Sequence, residues 1–342
     1  MHHLVYLLSV LAASGLPPGK IAFVAGSEQE DRCVCLVDLS DGTTVRIGRG
    51  DRDGAPVWSP DGAHVAFSSR TEEGIGIFVA DAEGGEIRGL RHQRTWNRHP
   101  QWSEDGSRIA YAAGEGLTTR IAVYDLETDV ETDWGGGRQG LTRPVWHAAG
   151  QLVAVAIHED EEAEELTSDL YNVDLDSATP LQLGQSSIKP YFDWAPAVHV
   201  RTRRLAFESN DGGDREIFVC VLNRPMVVDV SNHRAADWNP VWSPNGQQLA
   251  FESFRTGRRG VYVVDPGRLL VTAVAAATDS DSWWPSWSPD GNWIAFVSDR
   301  RGTADIFVAD AAGTTATRVT EQPGAEYAPA WRPRAASSGD EP

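Results

Sequence analysis

Apolar positions in this chain fall in short runs rich in β-branched and aromatic residues, cut by clusters of Gly, Pro, Asp and Asn. The stretch from Pro285 to Thr320 shows the pattern in full. "PSWS" is followed by the turn "SPDG", then "WIAFVS", the polar loop "DRRGTA", "DIFVAD", the turn "AAGTT" and "ATRVT". Alternation, composition and turn punctuation together predict four antiparallel strands joined by hairpins. In the first turn Pro289 presets φ at one corner, Asp290 suits the next, and Gly291 supplies a positive φ.

The same phrase recurs. "PVWSPDGAHVAFSSR" starts at Pro56, "PQWSEDGSRIAYAAG" at Pro100, "PVWHAAGQLVAVAIH" at Pro144 and "PVWSPNGQQLAFESF" at Pro240. A degenerate copy covers Phe192 to Ser209, and a truncated "PAWRP" starts at Pro329. Taking Trp58, Trp102, Trp146, Trp194, Trp242, Trp287 and Trp331 as anchors, the spacing runs from 44 to 48 residues. Four short strands repeated at that period are the signature of a β-propeller. One such unit cannot bury both faces of its small sheet, so the phrase must recur for neighbours to cover one another.

Seven second strands of the "IAF" type begin near Ile21, Val65, Ile109, Leu152, Leu205, Leu249 and Ile294. The first has no Trp strand before it, and the last Trp strand has no second strand after it. The two ends are complementary. The expected fold is all-β: a seven-bladed propeller of four-stranded antiparallel blades over residues 19–333, closed by the C-terminal strand, which removes the exposed edges of an open arc. Asp290 and its counterparts Asp61, Asp105 and Asn245 recur in one turn slot, which assigns them to the backbone and not to catalysis. Arg70, Arg255 and Arg300 recur after the second strand and read as loop braces.

Composition then narrows the partners. Asp plus Glu is 49 against 30 Lys plus Arg, a formal charge of −19, which argues against nucleic acid or stable insertion in an anionic membrane. Cys33, Cys35 and Cys220 are too few and too odd for a disulfide framework. Cys33 and Cys35 share a strand face and read as buried thiols. Leu4 to Ala13 has the length of a signal-peptide core, without the early positive charge. Residues 1–18 read as an export signal or an unstructured leader, with an additional strand or a misassigned start as the alternatives, and 334–342 read as a disordered tail. The acidic loop His158 to Leu166 lacks the ordered spacing of a calcium loop and reads as a solvated surface.

The phrase P-x-W-S-P-D-G-x-x-I-A-F, then S-D-R-x-G, then D-I-F-V-x-D, resembles the TolB-like (WD40-like Asp-Gly) repeat, over nearly the whole chain. The resemblance implies the propeller and no single activity. Similar propellers serve the periplasmic Tol system, the non-catalytic part of prolyl-oligopeptidase-like peptidases, and some polysaccharide lyases. TolB proper is six-bladed and carries an α/β domain in front; here the repeat begins near Lys20. The sequence holds no G-x-S-x-G nucleophile elbow, and a shared fold does not transfer a function.

In a propeller the residues just before each P-x-W enter the central channel. Here they include Arg98, His99, Arg143, Lys189, Tyr191, Trp238, Asn239, Trp283, Trp284, Glu326 and Tyr327. Aromatic and Arg side chains mark binding hot spots, and the expected layout is a basic arc facing an aromatic arc. The alternative is that these side chains plug the channel as packing. The leading expectation is a non-catalytic protein- or peptide-binding or scaffolding module, monomeric, periplasmic or secreted (alternatively cytoplasmic), with no cofactor and no metal. The rivals are a carbohydrate-active lyase or hydrolase using His99 with Asp53, Asp237 and Glu326, and an accessory propeller for a separate peptidase chain.

Overall fold

The computed structural model describes residues 15–26, 32–90, 94–148, 150–160, 165–181, 193–210, 213–224 and 226–334, and residues 6–7; Tyr6, Leu7, Asp160 and Glu165 are described by their backbone alone. Seven antiparallel sheets stand around one axis. Numbered by their second strands, blade 1 contains Lys20–Ala25, Cys33–Asp38 and Thr43–Arg46. Its inner strand is Glu326–Trp331, from the other end of the chain. Blades 2 to 7 each run from an inner to an outer strand in chain order.

Second and third strands are apolar at successive positions and buried throughout, as in Ile21 to Val24 and Ile306 to Ala309. That pattern belongs to a strand covered on both faces. Seven apolar clusters result, each shared by two neighbouring blades. The cluster at the seam joins Ile21, Phe23, Cys35 and Trp331 of blade 1 to Ala295, Val297, Ile306 and Val308 of blade 7. The closing register pairs Ile21 with Trp331 and Ala25 with Glu326. The ring is therefore closed as the repeat count requires.

A second set of contacts runs around the axis. Five anchor tryptophans of the inner strands donate their indole N–H to the preceding blade, to the carbonyl just before that blade's anchor residue. Trp58 bonds Ala330 O at 2.8 Å, Trp102 bonds Val57 O at 3.1 Å and Trp146 bonds Gln101 O at 3.1 Å. Trp242 bonds Ala197 O at 3.0 Å and Trp287 bonds Val241 O at 3.0 Å.

This geometry corrects the reading of blade 5. Because Trp242 bonds Ala197, the anchor slot of blade 5 is Val198, not Trp194. The stretch Asp193–His199 (DWAPAVH) aligns with Asp237–Trp242 (DWNPVW) and the Ser243 that follows. His199 takes the serine slot and accepts the Thr202 N–H at 3.3 Å. The extra length of the chain lies instead in blade 4, whose second and third strands, Gln151–Asp160 and Glu165–Val173, pair over nine residues.

The turn aspartates act on the backbone as expected. Asp290 accepts from the Ser288 hydroxyl at 2.5 Å and from Asn292 N at 3.1 Å. Asp61, Asp105 and Asn245 do the same in their turns. Arg255 and Arg300 donate to Ser253 and Ser298 at 2.9 and 3.0 Å and stack on their blades' aromatic rings. Of residues 1–18, Tyr6–Leu7 forms a short strand beside Thr43 and Thr44; the rest of the leader, residues 161–164 of the acidic loop, and 335–342 lie largely outside the described residues.

Candidate functional site

Six of the seven inner strands carry the same irregularity. Between Trp283 and Ser286 the strand has one residue more than its partner, and matching shifts occur after Arg98, Thr142, Trp194, Trp238 and at Ala328. This is a β-bulge, and proline, which cannot donate to the ladder, falls inside it each time. The residue before the proline is left-handed: His99 (φ 57°), Arg143 (49°), Ala195 (46°), Asn239 (50°), Trp284 (54°) and Ala328 (48°). Such conformations cost roughly 1–3 kcal/mol each in residues other than glycine. Here they aim one side chain per blade at the axis.

All six, with Ala55 of blade 2, line a channel of about 880 Å³. Arg32, Arg52, Arg98 and Arg143, from blades 1 to 4, face it on one side; Trp284 and Tyr327 stand in blades 7 and 1. No ion pair is found for any of the four arginines among the described residues. Arg143 stacks its guanidinium 4.9 Å from the Trp194 ring, and Arg98 lies 5.5 Å from Trp96. Burial lowers the pKa of Arg143, partly opposed by Glu208. His99 is exposed to the channel, yet protein surrounds it on its other sides. That desolvation, then Arg143 and Arg98, pushes its pKa down to about 4, so it is neutral at pH 7.

The structure sorts the rest of the rim. Trp284 packs edge-on to Tyr327 with ring centres 5.8 Å apart. Trp283 leans on Trp284 and lies under Arg259, and Trp238 packs edge-on to Phe254; neither belongs to the channel wall. Glu326 departs from the expectation of a rim group. It is fully buried and accepts Ile306 N at 2.9 Å, Gln322 N at 3.3 Å and the Thr320 hydroxyl. Burial raises its pKa to about 7. Asp237 is buried against Arg255 at 3.1 Å. Asp53, at the wall but fully buried, spends one oxygen on Val34 N and Gly50 N, both at 3.1 Å. Lys189 and Tyr191 lie outside the described residues, and the blade 5 slots belong to Asp193, Trp194 and Ala195. Sequence reasoning missed Arg32 and Arg52, which come from loops and not from the P-x-W phrase. It also missed two glutamates, for which the doubled "FES" was the available signal.

Those glutamates, Glu208 and Glu252, end the second strands of blades 5 and 6. Each reaches the next blade's left-handed residue. Glu208 accepts Asn239 N at 2.8 Å, and Glu252 accepts Trp284 N at 2.8 Å and Asn239 Nδ2 at 2.8 Å. Arg215 and Arg259 compensate them. Burial raises both pKa values, against these donors. Among the described residues no group of three or more His, Cys, Asp or Glu is placed to hold a metal ion, and no helix is long and apolar enough to cross a membrane.

A sequence model of the TolB β-propeller domain matches residues 17–187, half of the chain. The chain belongs to the TolB β-propeller domain family. Solved structures with the same fold include TolB from Acinetobacter baumannii, at 16% identity and TM-score 0.61, covering 92% of this chain and 67% of that one. The β-propeller domain of the Trilobed protease from Pyrococcus furiosus, described as having an open velcro topology, matches at 14% identity and TM-score 0.68, over 93% and 98% of the two chains. The acylaminoacyl peptidase of Pyrococcus horikoshii matches at 14% and 0.66; this chain spans 52% of it. A search of curated proteins gives no match. At these identities the likeness to solved structures is one of fold. Within this family the seam of the present chain is a paired strand, Glu326–Trp331 against Lys20–Ala25.

Proposed function

We propose that this TolB-family propeller is a non-catalytic binding module that takes an acidic, aromatic-bearing peptide segment or protein loop at its channel mouth. One observation carries the reading: four arginines without ion-pair partners among the described residues line one side of the channel of a chain whose net charge is −19, with Trp284 and Tyr327 also on the wall. Guanidinium forks suit carboxylates, and fixed aromatic rings offer area at low entropic cost. Left-handed bulges set these groups before any ligand arrives, which limits the ordering cost of binding. The leader sequence favours a periplasmic or secreted setting, which cell fractionation tests.

The test uses fluorescein-labelled hexapeptides of Asp and Glu with one Trp, against the same peptides with Lys in place of the acids, read by anisotropy. The acidic peptide should bind, weaken as salt rises, and lose at least tenfold in affinity with Arg98→Ala/Arg143→Ala and with Trp284→Ala. Equal affinity for both peptides, or no change in the variants, overturns the reading.

A further inference from the structure

Trp102 differs from the other anchor tryptophans. Trp58, Trp146, Trp242, Trp287 and Trp331 are 6–8% exposed, whereas Trp102 is only half-buried. The cause is the residue laid over it. His64, Arg108 and Arg204 each begin the second strand of their blade. From that slot Arg108 sets its guanidinium 5.3 Å from the ring of Trp146 in the next blade, and Arg204 lies 5.9 Å from Trp242. Arg332 covers Trp58 in the same manner, at 5.6 Å. Blade 2 offers His64 instead, itself exposed and tilted against Trp102 with ring centres 6.4 Å apart. The shorter side chain leaves part of the indole open. Among the described residues no guanidinium lies over it.

The open indole faces a cavity of about 680 Å³ between blades 2 and 3. The cavity is bounded by the turns that follow the two inner strands, so it lies at the opposite end of the ring from the rim. It shares no wall residue with the channel. Val79 and Leu126 give it apolar surface, and Asp61, Asp81, Glu86, Glu104 and Asp105 give it carboxylates. Arg88 stands there too, but is paired with Asp129. No ion pair is found for Glu86 or Glu104 among the described residues. An arginine matches every part of this wall. Its methylene stem packs on apolar surface, and its planar head stacks on an aromatic ring while forking onto carboxylates. Lysine brings the charge without the plane. Arg108 and Arg204 already show this stacking at the corresponding places of two other junctions.

We infer that the cleft between blades 2 and 3 takes an arginine side chain from a basic segment of a partner protein, stacked on Trp102 as Arg108 and Arg204 stack on Trp146 and Trp242. The site is independent of the peptide reading of the channel. The propeller then presents an arginine-lined channel at one end and an arginine-accepting cleft at the other.

The test uses a fluorescein-labelled peptide of Gly and Ser carrying two Arg, against the same peptide with Lys, read by anisotropy on the full chain. The arginine peptide should bind about tenfold more tightly than the lysine one. His64→Arg supplies the internal cover found at the other junctions, on an exposed residue, and should weaken arginine-peptide binding by about tenfold. Gln248→Arg adds the same charge in the corresponding slot of blade 6 and should change binding by less than about twofold. Glu104→Gln should weaken it by about threefold. No binding of the arginine peptide, or equal affinity for the two peptides, overturns the proposal. So does an equal loss with His64→Arg and Gln248→Arg, which would mark attraction to an acidic surface and nothing more.

Discussion

The carboxylate of Glu252 accepts the backbone N–H of Trp284 at 2.8 Å, from one blade to the next. It thereby fixes a left-handed tryptophan at the channel wall, and Glu208 repeats the arrangement on Asn239. Glu252→Ala would leave half-buried Arg259 and the Trp284 N–H without their partner. Leaving a donor unsatisfied costs about 1–3 kcal/mol, so the urea midpoint should fall. Glu252→Gln keeps an acceptor and should lose less. Equal stability of Ala and Gln variants would show that the acceptor is immaterial.

The indole of Trp58 joins blade 2 to the C-terminal strand through Ala330. Trp58→Phe keeps most of the apolar contact and removes the donor. The expected loss is about 1–2 kcal/mol from an unpaired carbonyl, measured by chemical denaturation. Trp194→Phe, which occupies no anchor slot, should cost less; the reverse order would contradict the blade 5 register.

Blade 5 presents Val198 where five other blades present a donating indole. Its junction with blade 4 therefore lacks that bond and should open first. Hydrogen exchange is expected to be faster at residues 193–199 than at 237–242 or 282–287. Uniform protection around the ring would count against this.

Glu326 has its pKa raised to about 7 by burial, above the 4.5 of an exposed glutamate. The folded state then binds more protons than the unfolded state between those values, so stability falls as pH rises from about 4.5 through 7. Asp105, held down to about 2, acts the other way only in stronger acid, while His99, held down to about 4, acts the other way up to about pH 6.5. The thermal midpoint should therefore decline from about pH 6.5 to pH 8, and Glu326→Gln should flatten that decline and melt higher at pH 8. A wild-type slope unchanged by the substitution would remove Glu326 as its source. Glu216, also raised to about 7, leaves a residual slope.

Ending the chain at Ala325 would strip Lys20–Ala25 of its inner partner and uncover Ile21 and Phe23 at the seam. Loss of a single cooperative urea transition and gain of dye binding to exposed apolar surface are expected. An unaltered transition would mean that closure contributes nothing to stability.

Much of this was legible in order. The turn phrase, the period and the mismatch of the two ends yield seven closed blades, because hairpins and strand alternation are local properties. The blade 5 register was not, since Trp194 mimics an anchor and only the indole bond of Trp242 to Ala197 shows the slot. Among rim residues, Arg98, His99, Arg143, Asn239, Trp284 and Tyr327 line the channel, while Trp238, Trp283 and Glu326 turn into packing. Sequence spacing places a residue at the rim; it does not say which way a bulged strand points it.

The repeated phrase by itself determined the blades, their number and the joining of the two termini, because each of these follows from which residues can pair and turn along a short stretch. The tertiary structure decided which charges face water in the channel and which are consumed between blades. That choice depends on donors brought from a neighbouring blade, such as Trp284 N–H to Glu252 and Asn239 N–H to Glu208, and burial makes an unpaired carboxylate too costly to leave elsewhere.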